Sequence, residues 1–198
     1  MSDTVKVDRR VRRTRELLRN ALLALILERG YEHISVQDIL DRADIGRSTF
    51  YAHYRDKDQL LLSGFDEAFA TLAADIPTPN TTNGPPGDFL IAAHVLFEHA
   101  EGHRQLWKGL VGKPGAELVL RYLRDNLTTL LEPHLRAQLP HPNTDELQLA
   151  AAVHYTVNAL VGILVWWCES DAPYTADETY STFKRLTTQG VKRFLTQR

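Results

Sequence analysis

Apolar residues recur at spacings of three and four almost from one end of this 198-residue chain to the other, the repeat of a helix that buries one face. Alternation of the kind a strand needs never lasts more than a few residues. The expected fold is therefore all-α, with about nine helices. The first stripe, from Val11 onward, holds Leu18, Leu22, Leu25 and Ile26 with Ala21 between them, and Gly30 stops it. A short connection over 31–34 leads to Ser35-Val-Gln-Asp38, a variant capping box in which a hydroxyl and an acid three residues on satisfy the first orphan amides. The short helix that follows buries Val36, Ile39, Leu40 and Ala43. Asp44-Ile45-Gly46 interrupts it, and Gly46 is expected to take the turn where a Cβ would clash. A second short helix over 47–54 turns Phe50 and Tyr54 inward. Two short helices about a tight turn make a helix-turn-helix.

Asp56-Lys-Asp-Gln59 is a further capping pattern, and Leu60, Leu61, Phe65, Ala68, Phe69 and Leu72 carry a longer fourth helix to about residue 74. Pro77, Pro79, Gly84, Pro85, Pro86 and Gly87 then mark a linker. This divides the chain into a helix-turn-helix domain (1–55), a connecting helix (56–74) and a helical C-terminal domain (75–198). In the last, a face of Leu90, Ala93, His94 and Phe97 precedes a shorter helix over 103–111 and a turn at 112–115. The long pattern over 116–139 contains Pro133, which should kink or divide it. Pro140-His-Pro142 ends it, Asn143 with Glu146 starts a strongly apolar helix, and Thr175 with Glu178 starts the last.

Charge narrows the function. The net charge of −2 looks unsuited to a polyanionic partner until the chain is divided, because residues 1–60 carry 12 Lys and Arg against 10 Asp and Glu, and residues 61–198 carry 11 against 15. Arg9, Arg10, Arg12, Arg13, Arg15 and Arg19 face only Glu16 locally. The single cysteine, Cys168, cannot close an intrachain disulfide, and it lacks an adjacent cation that would make it a redox switch. No apolar run of the roughly 20 residues needed to cross a bilayer is expected, and residues 1–7 lack the apolar region of a secretory signal. The reducing cytoplasm is the expected compartment.

Residues 35–60, SVQDILDRADIGRSTFYAHYRDKDQL, closely resemble the N-terminal domain of the TetR family of bacterial repressors. The resemblance takes in the Arg-rich first helix ending at Gly30-Tyr31, Ala43 before the turn, Thr49-Phe-Tyr51, His53-Tyr54 and Lys57. It implies a homodimer that binds double-stranded DNA at a palindromic operator and releases it when a small-molecule effector binds, with repression the family default. A recognition helix enters the major groove N-terminal residues first, so Arg47, Ser48, Thr49 and Tyr51 are the candidates to meet bases. Arg47 suits guanine O6 and N7, or a phosphate. Ser35 and Gln37 begin the supporting helix; Gln37 matches a base-touching position of the family, or is an exposed helix glutamine. Tyr51 and His53 resemble family contacts, with packing the alternative for His53. Lys57 opposes its helix dipole, which suggests a phosphate partner, and Arg12 and Arg13 lie where family members place phosphate contacts.

For the C-terminal domain the expected effector lining is His94, Phe97, His103, Trp107, Tyr122, Leu123, Leu127, Tyr155, Asn158 and Trp166, against the alternative that aromatics at helical spacing are ordinary core. His94, His103, Tyr155 and Asn158 are expected to interrupt apolar faces as buried polar groups in need of a partner. The expected dimer interface is a four-helix bundle using Ala151, Ala152, Tyr155, Ala159, Gly162 and Trp166 with Phe183, Leu186, Val191 and Phe194. His99 and His103 are four apart, but Gly102 between them and the lack of a third ligand argue against a metal; no cofactor is expected. No motif of hydrolase, nucleotide or dinucleotide chemistry occurs, so an enzyme is not expected.

Overall fold

The computed structural model describes residues 2–75, 90–111, 116–137, 146–170 and 173–196, without the side chains of 2–8, 67–68, 71–75, 189 and 191–196. The linker composition at 77–87, the turn at 112–115 and the signals at Pro140 to Asn143 lie outside these residues. The described residues form nine α-helices and one 3-10 turn: α1 (Ser2–Arg29), the turn (Tyr31–His33), α2 (Val36–Ala43), α3 (Arg47–Tyr51), α4 (Lys57–Asp75), α5 (Leu90–Gly102), α6 (Arg104–Leu110), α7 (Ala116–Ala137), α8 (Glu146–Glu169) and α9 (Ala176–Thr196). α1 therefore begins well before Val11, the first residue of its apolar stripe.

The stripe on α1 is buried, with Leu18, Leu22 and Ile26 almost wholly inaccessible, and it meets Ile39 and Leu40 of α2, Phe50 of α3 and Leu60 of α4. Gly30 ends α1 at φ +81°, a conformation that L side chains rarely adopt. At the next turn the expectation needs correcting. Gly46 sits at an ordinary extended φ of −69°, and nothing lies within 4 Å of a Cβ placed on it. The left-handed residue is Asp44, at φ 53° and ψ 47°, and aspartate is one of the few side chains that visits this region.

α7 packs along α8, α5 along α9, and α8 along α9, while α6 leans back on α1. One apolar core runs without interruption from Leu18 to Phe183. Arg104, at the start of α6, donates to the carbonyls of Trp167 (3.1 Å) and Ser170 (3.0 Å) and lies over the Trp167 ring, so a cation covers the negative end of α8. Pro133 does not divide α7, which continues to Ala137. Proline sits only a turn from the end, so few bonds are at stake, and the His134 ring bonds the Leu130 carbonyl at 2.8 Å. α8 corrects a second expectation. Its 24 residues, with a mean hydropathy of 1.7 over the most apolar stretch, are long and apolar enough to cross a membrane by length and composition. Here its buried side, Leu149 to Cys168, is core against α7 and α9, which is reason enough for that composition.

Candidate nucleic-acid interface and effector half

The N-terminal unit holds its short helices with polar staples as well as core. Ser35 and Asp38 close the expected capping box: Asp38 N donates to Ser35 Oγ (3.2 Å) and Ser35 N to Asp38 Oδ2 (2.7 Å). Arg29 of α1 reaches the same carboxylate at 2.8 Å. Hydrogen bonds from Ser35 first, and from Arg29, hold the Asp38 carboxyl well below the usual carboxylate range. Arg42 of α2 grips Glu28 of α1 through both carboxylate oxygens and keeps that acid ionised.

With α2 so fixed and Phe50 and Tyr54 in the core, α3 turns its other side outward. Arg47, Ser48, Thr49 and Tyr51 are all exposed and form one patch with exposed Gln37. Arg47 donates to Gln37 Oε1 at 3.1 Å, while Gln37 donates to Asp41 at 2.7 Å, so the arginine is directed across the face by a residue of the neighbouring helix. Arg12 and Arg13 are exposed on α1, Arg12 in a loose 3.7 Å pair with Glu16. His53 is half-buried and lines a groove of about 540 Å³ beside Arg12, Arg15 and Arg19. Ser35 is exposed, with its hydroxyl engaged in the cap.

Lys57 has a different setting from the one its position suggested. Its ammonium donates to the carbonyls of Tyr31 (3.0 Å) and Ile34 (2.7 Å) and lies 4.3 Å from the centre of the Tyr31 ring. These acceptors compensate a cation at a helix N-terminus, so the dipole argument for a phosphate no longer singles it out. The Tyr31 hydroxyl donates to Asp58, and burial followed by that carboxylate pushes the phenol far above its ordinary value. The first turn of α4 is thus pinned to the 3-10 turn below α1.

Further along, α4 is tied to the C-terminal half. Tyr122 of α7 donates to Asp66, and Phe65, Phe69, Trp107 and Tyr122 form an aromatic cluster across α4, α6 and α7.

The ten expected effector residues do not gather around one cavity. Phe97 packs on Trp167 and Phe183 in the solid core, and Leu123 and Leu127 are buried in the α7 side of it. Among the described residues, the void between α5, α7 and α8 is only about 20 Å³. The argument from buried polar groups also fails, because His103, Tyr155 and Asn158 are exposed. Half-buried His94 has its own partners, Asp177 at 2.8 Å and the stacked Tyr180 ring. Of the buried polar side chains, Thr156 and His134 bond carbonyls one turn back on their own helices and Thr179 bonds that of Thr175 just before α9, which helical spacing alone does not reveal.

The roomier space lies at the seam between the two halves. A cleft of about 470 Å³ opens between α1, α4 and the α5–α6 corner, and of the expected residues only His103 lines it. Arg19, Gly64, Phe65 and His99, which line it too, were not singled out as ligand contacts. A glycine inside the apolar repeat of α4 was the available signal. His99 and His103 do meet, with ring centres 4.7 Å apart, because the helical bond from His103 N to His99 O survives past Gly102. No cluster of three or more metal-ligating side chains occurs among the described residues. Cys168 is buried, and burial pushes its thiol up to about 11.

Of the expected dimer residues, Ala151, Tyr155, Gly162 and Trp166 are exposed along one side of α8 with Leu147 and Asn158, Ala159 is half-buried, and Leu186 is exposed on α9. Ala152 and Phe183 are buried within the single chain. The side chains of Val191 and Phe194 lie outside those described.

A three-helix unit that presents a short, exposed helix beside a capped supporting helix, joined by α4 to a larger helical body, defines a helix-turn-helix DNA-binding protein. Residues 18–63 match the family described as "Bacterial regulatory proteins, tetR family", and residues 91–189 match "Transcriptional regulator C-terminal region". The chain belongs to the TetR family of transcriptional regulators, whose members are not enzymes. It is 39% identical over 126 residues to the HTH-type transcriptional regulator TcmR of Streptomyces glaucescens, a match covering 59% of this chain and 55% of that one. It is 35% identical over 79 residues to the uncharacterized HTH-type transcriptional regulator YxbF of Bacillus subtilis, covering 39% of this chain and 21% of the relative. These matches span less than two thirds of either relative. A TetR transcriptional regulator from Streptococcus agalactiae shares the fold, with a TM-score of 0.64 and 23% identity over 93% of this chain and 99% of that one.

Proposed function

We propose that this regulator acts in the cytoplasm as a homodimeric repressor at a palindromic operator, and that a small-molecule effector releases it. The observation that carries the DNA reading is the exposed row Arg47, Ser48, Thr49 and Tyr51, set on a helix whose opposite side is anchored by Phe50. Residues 1–55 serve as reading head, 56–74 as connecting helix and 75–198 as effector-binding and dimerisation domain. Arg47 reads a base edge or a phosphate, Gln37 directs it, and Arg12 and Arg13 meet phosphates. An exposed stripe of Leu147, Tyr155 and Trp166, 73%, 57% and 52% accessible, supports pairing of α8 and α9 with those of a second copy, since such stripes mark interaction sites.

Release works through spacing. Two recognition helices must sit about 34–36 Å apart to enter successive major grooves. α4 is pinned to the head at Lys57 and Asp58 and to the C-terminal half at Asp66, so a ligand that shifts one half moves the other. Only a ligand with unequal affinity for the two arrangements does this. The packed interior between α5, α7 and α8 favours one alternative: a regulator of the same kind without a small-molecule inducer, governed by a protein partner or serving an architectural role.

Fluorescence anisotropy with duplexes from upstream of the protein's own gene tests the reading. Two chains should bind per duplex, affinity should fall steeply with salt, and Arg47→Ala should weaken binding by about 1–3 kcal/mol if it reads a base. Equal binding of wild type and an Arg47→Ala/Tyr51→Ala double variant at low salt would remove this face from the account.

A further inference from the structure

We propose that Asp41 of α2 is a positioning residue for sequence reading: through the Gln37 amide it holds the Arg47 guanidinium in place to meet a guanine edge in the operator. This rests on the DNA reading above and deepens it, by naming what sets the base preference of the exposed face.

The three side chains form a row of fixed polarity across α2 and α3. Gln37 Nε2 donates to Asp41 Oδ1 at 2.7 Å, one turn along α2, and Arg47 donates from the start of α3 to Gln37 Oε1 at 3.1 Å. A carboxylate only accepts and a guanidinium only donates, so the amide between them has a single orientation that satisfies both. Turned over, Gln37 would set its NH2 group against the guanidinium and its carbonyl against the carboxylate. Without Asp41 the amide is held by Arg47 alone, through the longer of its two bonds. Among the described residues Gln37 is the hydrogen-bond partner of the Arg47 side chain, which is otherwise an exposed arginine with many rotamers to lose on binding. A guanidinium has donors to spare after one N–H goes to Gln37, so its fork stays free for guanine O6 and N7.

The sign of the charge makes Asp41 stand out. It is exposed one turn from Gln37 on the same side of α2, where a carboxylate repels phosphates. The other charged groups of α2 have structural tasks: Asp38 closes the cap and takes Arg29, and Arg42 grips Glu28. Asp41 takes part in neither link, and its bond runs to the one residue that directs Arg47. An acid that opposes general attraction to DNA and orders a base-reading arginine exchanges affinity for discrimination.

The test is a selection from a library of duplexes with a randomised central segment, followed by sequencing, using the full chain and its variants. Wild type should enrich guanine about fivefold or more at one position of each half-site, and Arg47→Ala should erase that preference. Asp41→Ala should reduce the same preference by about twofold or more, while its affinity for an unselected duplex holds or rises because a negative charge has left the face. Asp41→Asn, which keeps an acceptor without the charge, should retain more of the preference than Asp41→Ala. A guanine preference unchanged in Asp41→Ala overturns the proposal, and so does an equal loss in Asp41→Asn, which would assign the effect to charge. Loss of a cytosine preference at another base pair overturns it as well, since Asp41 would then read a base itself. If Arg47→Ala keeps the guanine, Arg47 is no base reader and the proposal falls while DNA binding stands. Failure of wild type to enrich any sequence overturns the regulator reading itself.

Discussion

The head and the C-terminal half solve the same problem, packing short helices, with different chemistry. In the head, helices of eight and five residues have too little surface to settle their positions by burial alone, and charged or capped groups finish the work: Arg29 on Asp38, Arg42 on Glu28, Lys57 on two carbonyls. In the C-terminal half, helices of 13 to 24 residues bury Phe97, Trp167 and Phe183, and the seven-residue α6 adds Trp107. A recognition helix must keep its outer side polar and exposed, so its orientation is fixed from behind and from the edges. The other half has no such restriction and holds itself by volume.

The sharpest way to break this contrast is to remove volume. Phe97→Ala should destabilise the chain by about 3–5 kcal/mol in urea unfolding, since the residue is fully buried against Trp167 and Phe183. A loss below about 1 kcal/mol would mean that the aromatic core does not dominate that half. Next comes Lys57→Ala, expected to cost about 1–3 kcal/mol by removing the ammonium from the Ile34 carbonyl and leaving the Tyr31 carbonyl with the Ile34 amide alone. Its signature is local: faster amide exchange over 31–36 and 57–60, with α8 and α9 unaltered. Ser35→Ala should cost about 1 kcal/mol through the lost cap, visible as a lower melting temperature.

The smallest effect is the pH dependence that Asp38 gives the head. Asp38 has a folded-state pKa below its ordinary value of 3.8, so its contribution is complete above that value and is lost as the pH falls through the depressed one. Wild type should therefore lose head stability on acidification below about pH 4, and Asp38→Asn should lose less. Parallel acid curves for the two proteins would assign the acid loss to other carboxylates.

The polar staples of the head were partly visible in the residue order because caps are local. Ser35 with Asp38 and Thr175 with Glu178 act across three residues, and both pairs close as the spacing predicts. Arg29 with Asp38 and Arg42 with Glu28 join residues on different helices, and no spacing rule reaches them. Lys57 shows how a correct observation leads elsewhere: a cation against a helix dipole does need acceptors, and here the backbone of the preceding turn provides them. The surroundings of the residues expected to line an effector site were the least legible. Tyr155 and Trp166 follow helical spacing as core residues do, yet they fall on the outward side of α8, because an almost uniformly apolar helix does not say which face meets its neighbours.

By itself the order of residues determined an all-helical chain, a capped helix-turn-helix with Phe50 and Tyr54 inward, and an arginine-rich first helix, since period, caps and charge runs are properties of neighbours along the chain. Tertiary structure alone decided that Asp44 and not Gly46 takes the left-handed turn, that among the described residues little space is left between α5, α7 and α8, and that open space remains where α1, α4 and α6 converge. Cavities and salt links depend on how helices distant in sequence are set against one another, and that setting is a sum over many contacts which no local pattern contains.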